Sequence, residues 1–409
     1  MTRRSSLSLA LSVVAALGCA LLAHPVAPRP YVVLVSLDGF RYDYAERYRA
    51  NNILAIGKAG AAAEGMIPSF PTVTFPNHIS IVTGQYPEHH GIVGNSFWDP
   101  ARKEMYSMGR SATDGTWYGY KPLWAVAESQ NVKAASMFWP TADAEIGGVR
   151  PSYWSRYDGS FPNEQRVAKV LEWLKLPESE RPHFITLYFS DTDSAGHSFG
   201  PESPETERAV QRVDKLVGDL WTGIRAMPLA VNLIVVSDHG MQTTQGRVNL
   251  SEFADLSKVR VVTEGPVALV YAPDSQTAEQ VYGALKGKSP NFDVYRRQET
   301  PKRWHFSENE RIGDLVVCAK EATALATGPA REREGAPRSS SRGAHGFDPY
   351  EFKTMQGIFY AAGPNVRPGK RIAPFENVHV FPFIAKILRL QPPAGLDGSE
   401  KVLHAIYRK

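Results

Sequence analysis

The chain has 409 residues, 43% of them hydrophobic, enough for one large α/β domain or two smaller ones with a real core. Its 46 basic and 42 acidic side chains leave a formal charge of +4, part of it from Arg3 and Arg4, which argues against a dedicated nucleic-acid surface. Once a leader carrying Cys19 is removed, Cys318 stands alone, and an intramolecular disulfide is excluded.

The opening run MTRRSSLSLALSVVAALGCALLAHPVA sets two arginines before an apolar stretch and small residues near Ala23, the layout of a secretory signal. Residues 1–23 are expected to be removed, the alternative being an uncleaved anchor helix. After signal removal no stretch is long and apolar enough to span a bilayer. Export without disulfides suits a bacterial periplasm or secretion.

Three later segments share one form: YVVLVSLDGF (Tyr31 to Phe40), HFITLYFSDTD (His183 to Asp193) and VNLIVVSDHG (Val231 to Gly240). Each is a nearly continuous apolar, β-branched run ending in aspartate, which predicts a strand buried on both faces with an acid at its C-terminal end. Between them, Asn163 to Leu176 and Ser203 to Ile224 read as helices, the second with Ser203 as N-cap and Val210, Val213, Val217 and Leu220 at helical spacing. Alternating strands and helices predict a mainly parallel sheet whose ligand site lies beyond the strand C-terminal ends. From Gly246 the pattern changes to short strands around one helix, predicting a smaller insertion at about 246–340 within a catalytic domain at 30–409. Thr327 to Phe347, rich in Gly, Ser, Pro and Arg, predicts a loop.

Asp38, Asp193 and Asp238 join His197, His239 and His345 as donors suited to divalent zinc, and six donors divide into two ions of three protein ligands each. The segment FPTVTFPNHISIVTG offers Thr72, Thr74 and Thr83, all weak nucleophiles without a base or metal. Thr74 precedes what reads as the first turn of a helix at Pro76 to Ile79, whose N-terminus would favour a phosphate. Two metals and a threonine point to phosphoryl transfer through a covalent phosphothreonine.

VSLDGFR, FPTVTFPNHISIVTGQYPEHHGIVGN, YFSDTDSAGHSFGP, VVSDHGM, PKRWHFSENERIGDLVV and AHGFDP, in this order, resemble the nucleotide pyrophosphatase/phosphodiesterase family of the alkaline phosphatase superfamily, bacterial type. The resemblance implies an alkaline-phosphatase-like α/β fold. It implies Thr74 as nucleophile, Asp38, Asp238 and His239 as ligands of the zinc that binds Thr74, and Asp193, His197 and His345 as ligands of the other zinc. Asn95 resembles the asparagine that donates to a phosphate oxygen, and Phe75, Tyr157 and Tyr188 resemble residues lining the substrate pocket.

The implied enzyme is a two-zinc hydrolase of phosphodiesters and phosphoanhydrides that releases nucleoside 5′-monophosphates, with a small nucleotide or other phosphodiester as substrate. Its rivals are a choline-type glycerophosphodiesterase or phospholipase C-like hydrolase, and a phosphate monoesterase, for which Lys121 or Arg150 would have to supply extra positive charge. Asp191 and the histidines His78, His89 and His90 read as structural neighbours.

Overall fold

Residues 28–328 and 342–409 are described in a computed structural model of the chain. The expected signal at 1–23 with Cys19, and residues 329–341 of the expected loop, lie outside the described residues.

Tyr31–Leu37 becomes a central strand because all seven of its residues find cover. Val32 and Leu34 join one core cluster while Val33 and Val35 join another, so the alternation of a strand feeds two apolar layers. Each such buried Val or Leu contributes about 1.5–3 kcal/mol from leaving water. The strand belongs to an eight-stranded sheet ordered Lys370–Ile372, Ala61–Ala63, Phe359–Ala362, Val231–Val236, Tyr31–Leu37, Phe184–Phe189, Ala134–Met137, Tyr153–Trp154. Its pairings are parallel except around Phe359–Ala362, which runs antiparallel to both neighbours.

Helices cover both faces. Val210, Val213, Val217 and Leu220 of helix Pro204–Arg225 are buried on one side, and Ser203 caps its start by accepting from the Thr206 N–H at 3.1 Å. Helix Thr74–Thr83 packs on the other side and ends at Gly84, whose φ of 67° is left-handed backbone that favours glycine. This is the mainly parallel α/β sheet that the sequence predicts. The helix starts at Thr74 itself, two residues ahead of Pro76.

Residues 246–326 leave this sheet. Strands Arg260–Glu264, Val267–Tyr271, Leu315–Ala319 and Phe292–Arg296 form an antiparallel sheet in that order, with helix Ser275–Leu285 linking Val267–Tyr271 to Phe292–Arg296 along the chain, and the insertion has its own apolar core. The excursion closes where Gly246–Asn249 pairs in parallel with Thr323–Ala326. Cys318 is buried in this sheet. Among the described residues no helix is long and apolar enough to cross a membrane.

The three strands Tyr31–Leu37, Phe184–Phe189 and Val231–Val236 are parallel, so their C-terminal ends share one edge of the sheet. Asp38 and Asp238 lie in the loops leaving that edge. Asp193 departs from the expectation of a strand-end acid: the strand stops at Phe189, and Asp193 and His197 both stand on helix Asp191–Phe199, one turn apart.

Candidate metal centre

The loops at the sheet edge are tied to one another before any side chain is considered. The Asp38 N–H donates to Phe189 O at 2.9 Å, and the Gly39 N–H donates to Asp238 Oδ1 at 3.2 Å. Gly39 has φ 66°, and a Cβ there would lie 2.8 Å from the Asp193 Cα, so the turn after Asp38 and the helix carrying Asp193 meet backbone to backbone. The Ser237 hydroxyl accepts from the Phe40 N–H and donates to His239 O, fixing the Asp238–His239 turn.

All six expected donors converge. His239 Nε2 lies 3.1 Å from Asp238 Oδ2, 3.5 Å from Asp38 Oδ1 and 3.4 Å from Thr74 Oγ1. Asp193 Oδ1 lies 3.3 Å from His197 Nε2 and 3.6 Å from His345 Nε2, and the two Nε2 atoms are 3.0 Å apart. The sets touch, because the rings of His239 and His345 stack at 3.6 Å. His239 therefore also stands within ligand reach of Asp193 and His345, on the boundary between the two groups.

Each of the three imidazoles has its Nδ1 beside a backbone carbonyl: His239 at Gly240 O, His197 at Gly343 O and His345 at Thr72 O, all 2.9 Å. A carbonyl only accepts, so each Nδ1 carries the proton and Nε2 is the atom offered to the cluster. Among the described residues, buried Asp38 Oδ1, Asp193 Oδ1 and Asp238 Oδ2 face neighbouring imidazoles and find no other donor. Orphaned carboxylate oxygens facing imidazole Nε2 atoms form a donor set that a divalent cation satisfies.

The titration behaviour agrees. Burial, with Asp238 and Asp193 nearby, raises the Asp38 carboxyl well above the usual range, and burial with Asp193 nearby does the same to Asp238. Burial would lower His197, yet the hydrogen bond and charge of Asp193 outweigh it and raise the ring to about 9. Crowded buried carboxyls and an imidazole that favour holding protons mark a place where positive charge is welcome. Burial lowers His239 to about 3 and His345 well below its ordinary value, which leaves both rings neutral, the form in which an imidazole can bind a cation.

Around the cluster, Thr74 is the first residue of helix Thr74–Thr83. The next N–H, of Phe75, donates to Asn95 Oδ1 at 2.8 Å, which orients the amide so that Nδ2 is its remaining donor end. Tyr188 is buried and its hydroxyl donates to Asp38 Oδ2 at 2.5 Å, while its ring stands 6.2 Å from that of half-exposed Tyr157. Asp191 turns away to accept from Asn163 Nδ2 at 2.8 Å. His78 is held by Ser36 Oγ and Thr74 O, His90 by Ser80 Oγ, and His89 by Asp397. Arg150 pairs with Glu145 at 2.9 Å.

Thr72 ties two distant segments together. Its hydroxyl donates to Phe347 O at 3.0 Å and accepts from the Gly346 N–H at 2.8 Å, while its carbonyl accepts from His345 Nδ1. It stitches the His345 segment to the Thr74 loop, a contact spanning most of the chain that local composition does not reveal.

Comparison with known proteins agrees with the fold. Residues 32–348 match the family model of type I phosphodiesterase / nucleotide pyrophosphatase. The chain is 38% identical over 396 residues to mouse ectonucleotide pyrophosphatase/phosphodiesterase family member 1, covering 93% of this chain and 43% of that protein. It is 35% identical to an uncharacterized pyrophosphatase/phosphodiesterase of Schizosaccharomyces pombe, covering 89% of this chain and 78% of the relative. Among solved structures, murine ectonucleotide pyrophosphatase/phosphodiesterase 5, as an inactive threonine-to-alanine variant in complex with AMP, superposes with a TM-score of 0.85 at 29% identity, covering 93% of this chain and all of that one. The chain spans less than half the length of the mammalian family member 1 relatives it matches.

Proposed function

The chain belongs to the type I phosphodiesterase / nucleotide pyrophosphatase family, and from that premise we propose that it is an exported, zinc-dependent hydrolase of nucleotide phosphodiester and phosphoanhydride bonds. The observation that carries the reading is the convergence of three carboxylates and three imidazoles beside one hydroxyl, with His239 Nε2 3.4 Å from Thr74 Oγ1.

In this reading Asp38, Asp238 and His239 hold one Zn²⁺ next to Thr74, and Asp193, His197 and His345 hold a second. When bound, the pair of ions supplies Lewis-acid stabilisation of charge on the reacting oxygens. Thr74 Oγ1 attacks phosphorus, its bond to phosphorus forming as the bond to the leaving alcohol or phosphate breaks. Water then releases the nucleoside 5′-monophosphate and restores the threonine. Asn95 donates through Nδ2 to a phosphate oxygen, and its Oδ1, occupied by the Phe75 N–H, keeps it aimed. Phe75 and Tyr157 flank the leaving-side or base pocket, and Tyr188 contributes to its floor while its hydroxyl orients Asp38. The catalytic unit is 30–409, with the insertion at about 246–340, and residues 1–23 direct it to the periplasm or outside the cell.

The inactive threonine variant of the murine relative, solved with AMP, supports both the nucleophile and a nucleotide substrate. Thr74→Ala is expected to lower kcat by about 10⁴-fold or more with zinc content and thermal unfolding unchanged. Retained turnover would sink the covalent route. Rates on a nucleotide aryl ester, an aryl phosphate monoester and a choline phosphodiester separate the substrate classes, and the nucleotide ester should be fastest.

A further inference from the structure

The segment SENERIGD (Ser307 to Asp314), which leads into strand Leu315–Ala319, and the hairpin Arg260–Glu264/Val267–Tyr271 take no part in the chemistry above, yet they surround the segment that carries Asn95. Glu264, at the end of strand Arg260–Glu264, accepts from the Asn95 N–H at 2.9 Å through one oxygen and from the Ser96 N–H through the other. Gly94 leaves room for this carboxylate: a Cβ there would stand 2.7 Å from Glu264 Oε2. Tyr271, on the adjacent strand, accepts from the Trp98 N–H at 3.2 Å and donates to Arg311 O at 2.7 Å. Arg311 in turn reaches Gly91 O at 2.9 Å and Asp99 Oδ2 at 2.8 Å. On the far side, the turn at Gly265 and Pro266 abuts the backbone of His345 and Gly346.

Local hairpin geometry does not require this arrangement. A chain that merely needed a stable 96–107 hairpin has its own ladder, Ser96 to Asp99 against Glu104 to Ser107. The added contacts come from the insertion and fall on Asn95 and its two flanks. We propose that the inserted sheet is the frame that sets the position of Asn95, with Glu264 as the positioning residue. The proposal rests on the role given to Asn95 above. The carboxylate supplies two acceptors to two successive N–H groups, so it fixes the backbone rotation of Asn95. The Phe75 N–H fixes the side-chain amide. With both ends held, the Nδ2 donor is aimed before substrate arrives, the condition under which a single donor is worth most to a transition state.

A double-mutant cycle with Glu264→Ala and Asn95→Ala, assayed for kcat and KM on a nucleotide aryl ester, tests it. Asn95→Ala should lower kcat by about 10²-fold or more. Glu264→Ala should lower kcat by about 10-fold or more with KM within about threefold, and in the Asn95→Ala background it should cost less than about twofold. Equal losses in both backgrounds, or an unchanged kcat in Glu264→Ala alone, would overturn the proposal. A silent Asn95→Ala would instead overturn the role of Asn95, and the positioning role with it, a result distinct from additivity. Should Glu264→Ala fail to fold by circular dichroism, Glu264→Gln, which keeps one acceptor and the side-chain volume, goes through the same cycle under the same criteria.

Discussion

The two proposed ligand sets share a stacked pair of imidazoles but are built by different means. Asp38, Asp238 and His239 come from tight turns at the ends of central strands, and their side chains are 2%, 0% and 0% exposed. Asp193, His197 and His345 come from a helix and from a segment next to the insertion, and are 20%, 38% and 9% exposed. The first set is buried and holds two carboxylates against one imidazole. The second is open to solvent and balances its one carboxylate against an imidazole that readily holds a proton. Burial thus decides how tightly each half can grip an ion and how much an empty half costs the fold.

The largest effect that probes this contrast is chelation. Incubation with a strong chelator should abolish turnover, with metal content falling in two phases, the faster from the solvent-open half, and zinc should restore activity. A single phase for both ions would erase the distinction. Next, Asp238→Ala should lower kcat by about 10³-fold or more without rescue. His197→Ala should lose about 10²-fold and recover partly in added zinc, because the remaining open ligands can still recruit the ion.

Stability of the metal-free chain should move in opposite directions. Asp238, whose folded-state carboxyl is raised by burial and by Asp193, weighs against folding increasingly as pH rises above the ordinary carboxylate range. Asp238→Asn should therefore stabilise the metal-free protein at pH 7 by about 1 kcal/mol or more. For Asp193, burial pulls the pKa upward but the His197 hydrogen bond and charge prevail, and the net lowering makes its charge stabilising above that range and lost as pH falls. Asp193→Asn should destabilise the same preparation, and chemical denaturation in chelator at pH 5 and pH 7 reads both signs.

The smallest effect is a control outside both halves. His89 pairs with Asp397 at 2.8 Å; burial lowers its pKa, the Asp397 contact outweighs it, and the net shift is upward. The pair's stabilisation is full at low pH and fades as pH rises through the folded value. With the ring 37% exposed and screened by solvent, His89→Ala should cost less than about 1 kcal/mol at pH 6, less again at pH 8, and leave kcat unchanged.

What could be read from the residues follows the same division. Asp38 and Asp238 were legible because a buried strand must end where its apolar run ends, and an acid there is conspicuous. Asp193 and His197 were legible as an acid and an imidazole four residues apart, though the helix that holds both was not foreseen. His345 was placed only by its motif, since its position depends on the Thr72 hydroxyl and carbonyl far away in sequence. Glu264 and the Tyr188 hydroxyl were invisible for the same reason: each acts on a partner about 150 residues away or more. The antiparallel strand Phe359–Ala362 was missed because four residues carry no usable period.

The stitch between Thr72 and His345 also bears on the order of assembly. In an unfolded chain only Asp193–His197 and Asp238–His239 are close neighbours, and two donors grip zinc weakly. Neither three-donor set closes until Asp38 has paired into the sheet and the 342–348 segment has docked on Thr72. Metal capture would then follow folding, the reverse of a zinc finger, where the ion organises the chain. Under the export proposed above, a precursor crossing the membrane unfolded would carry no ions with it and would draw them from the compartment in which it finally folds.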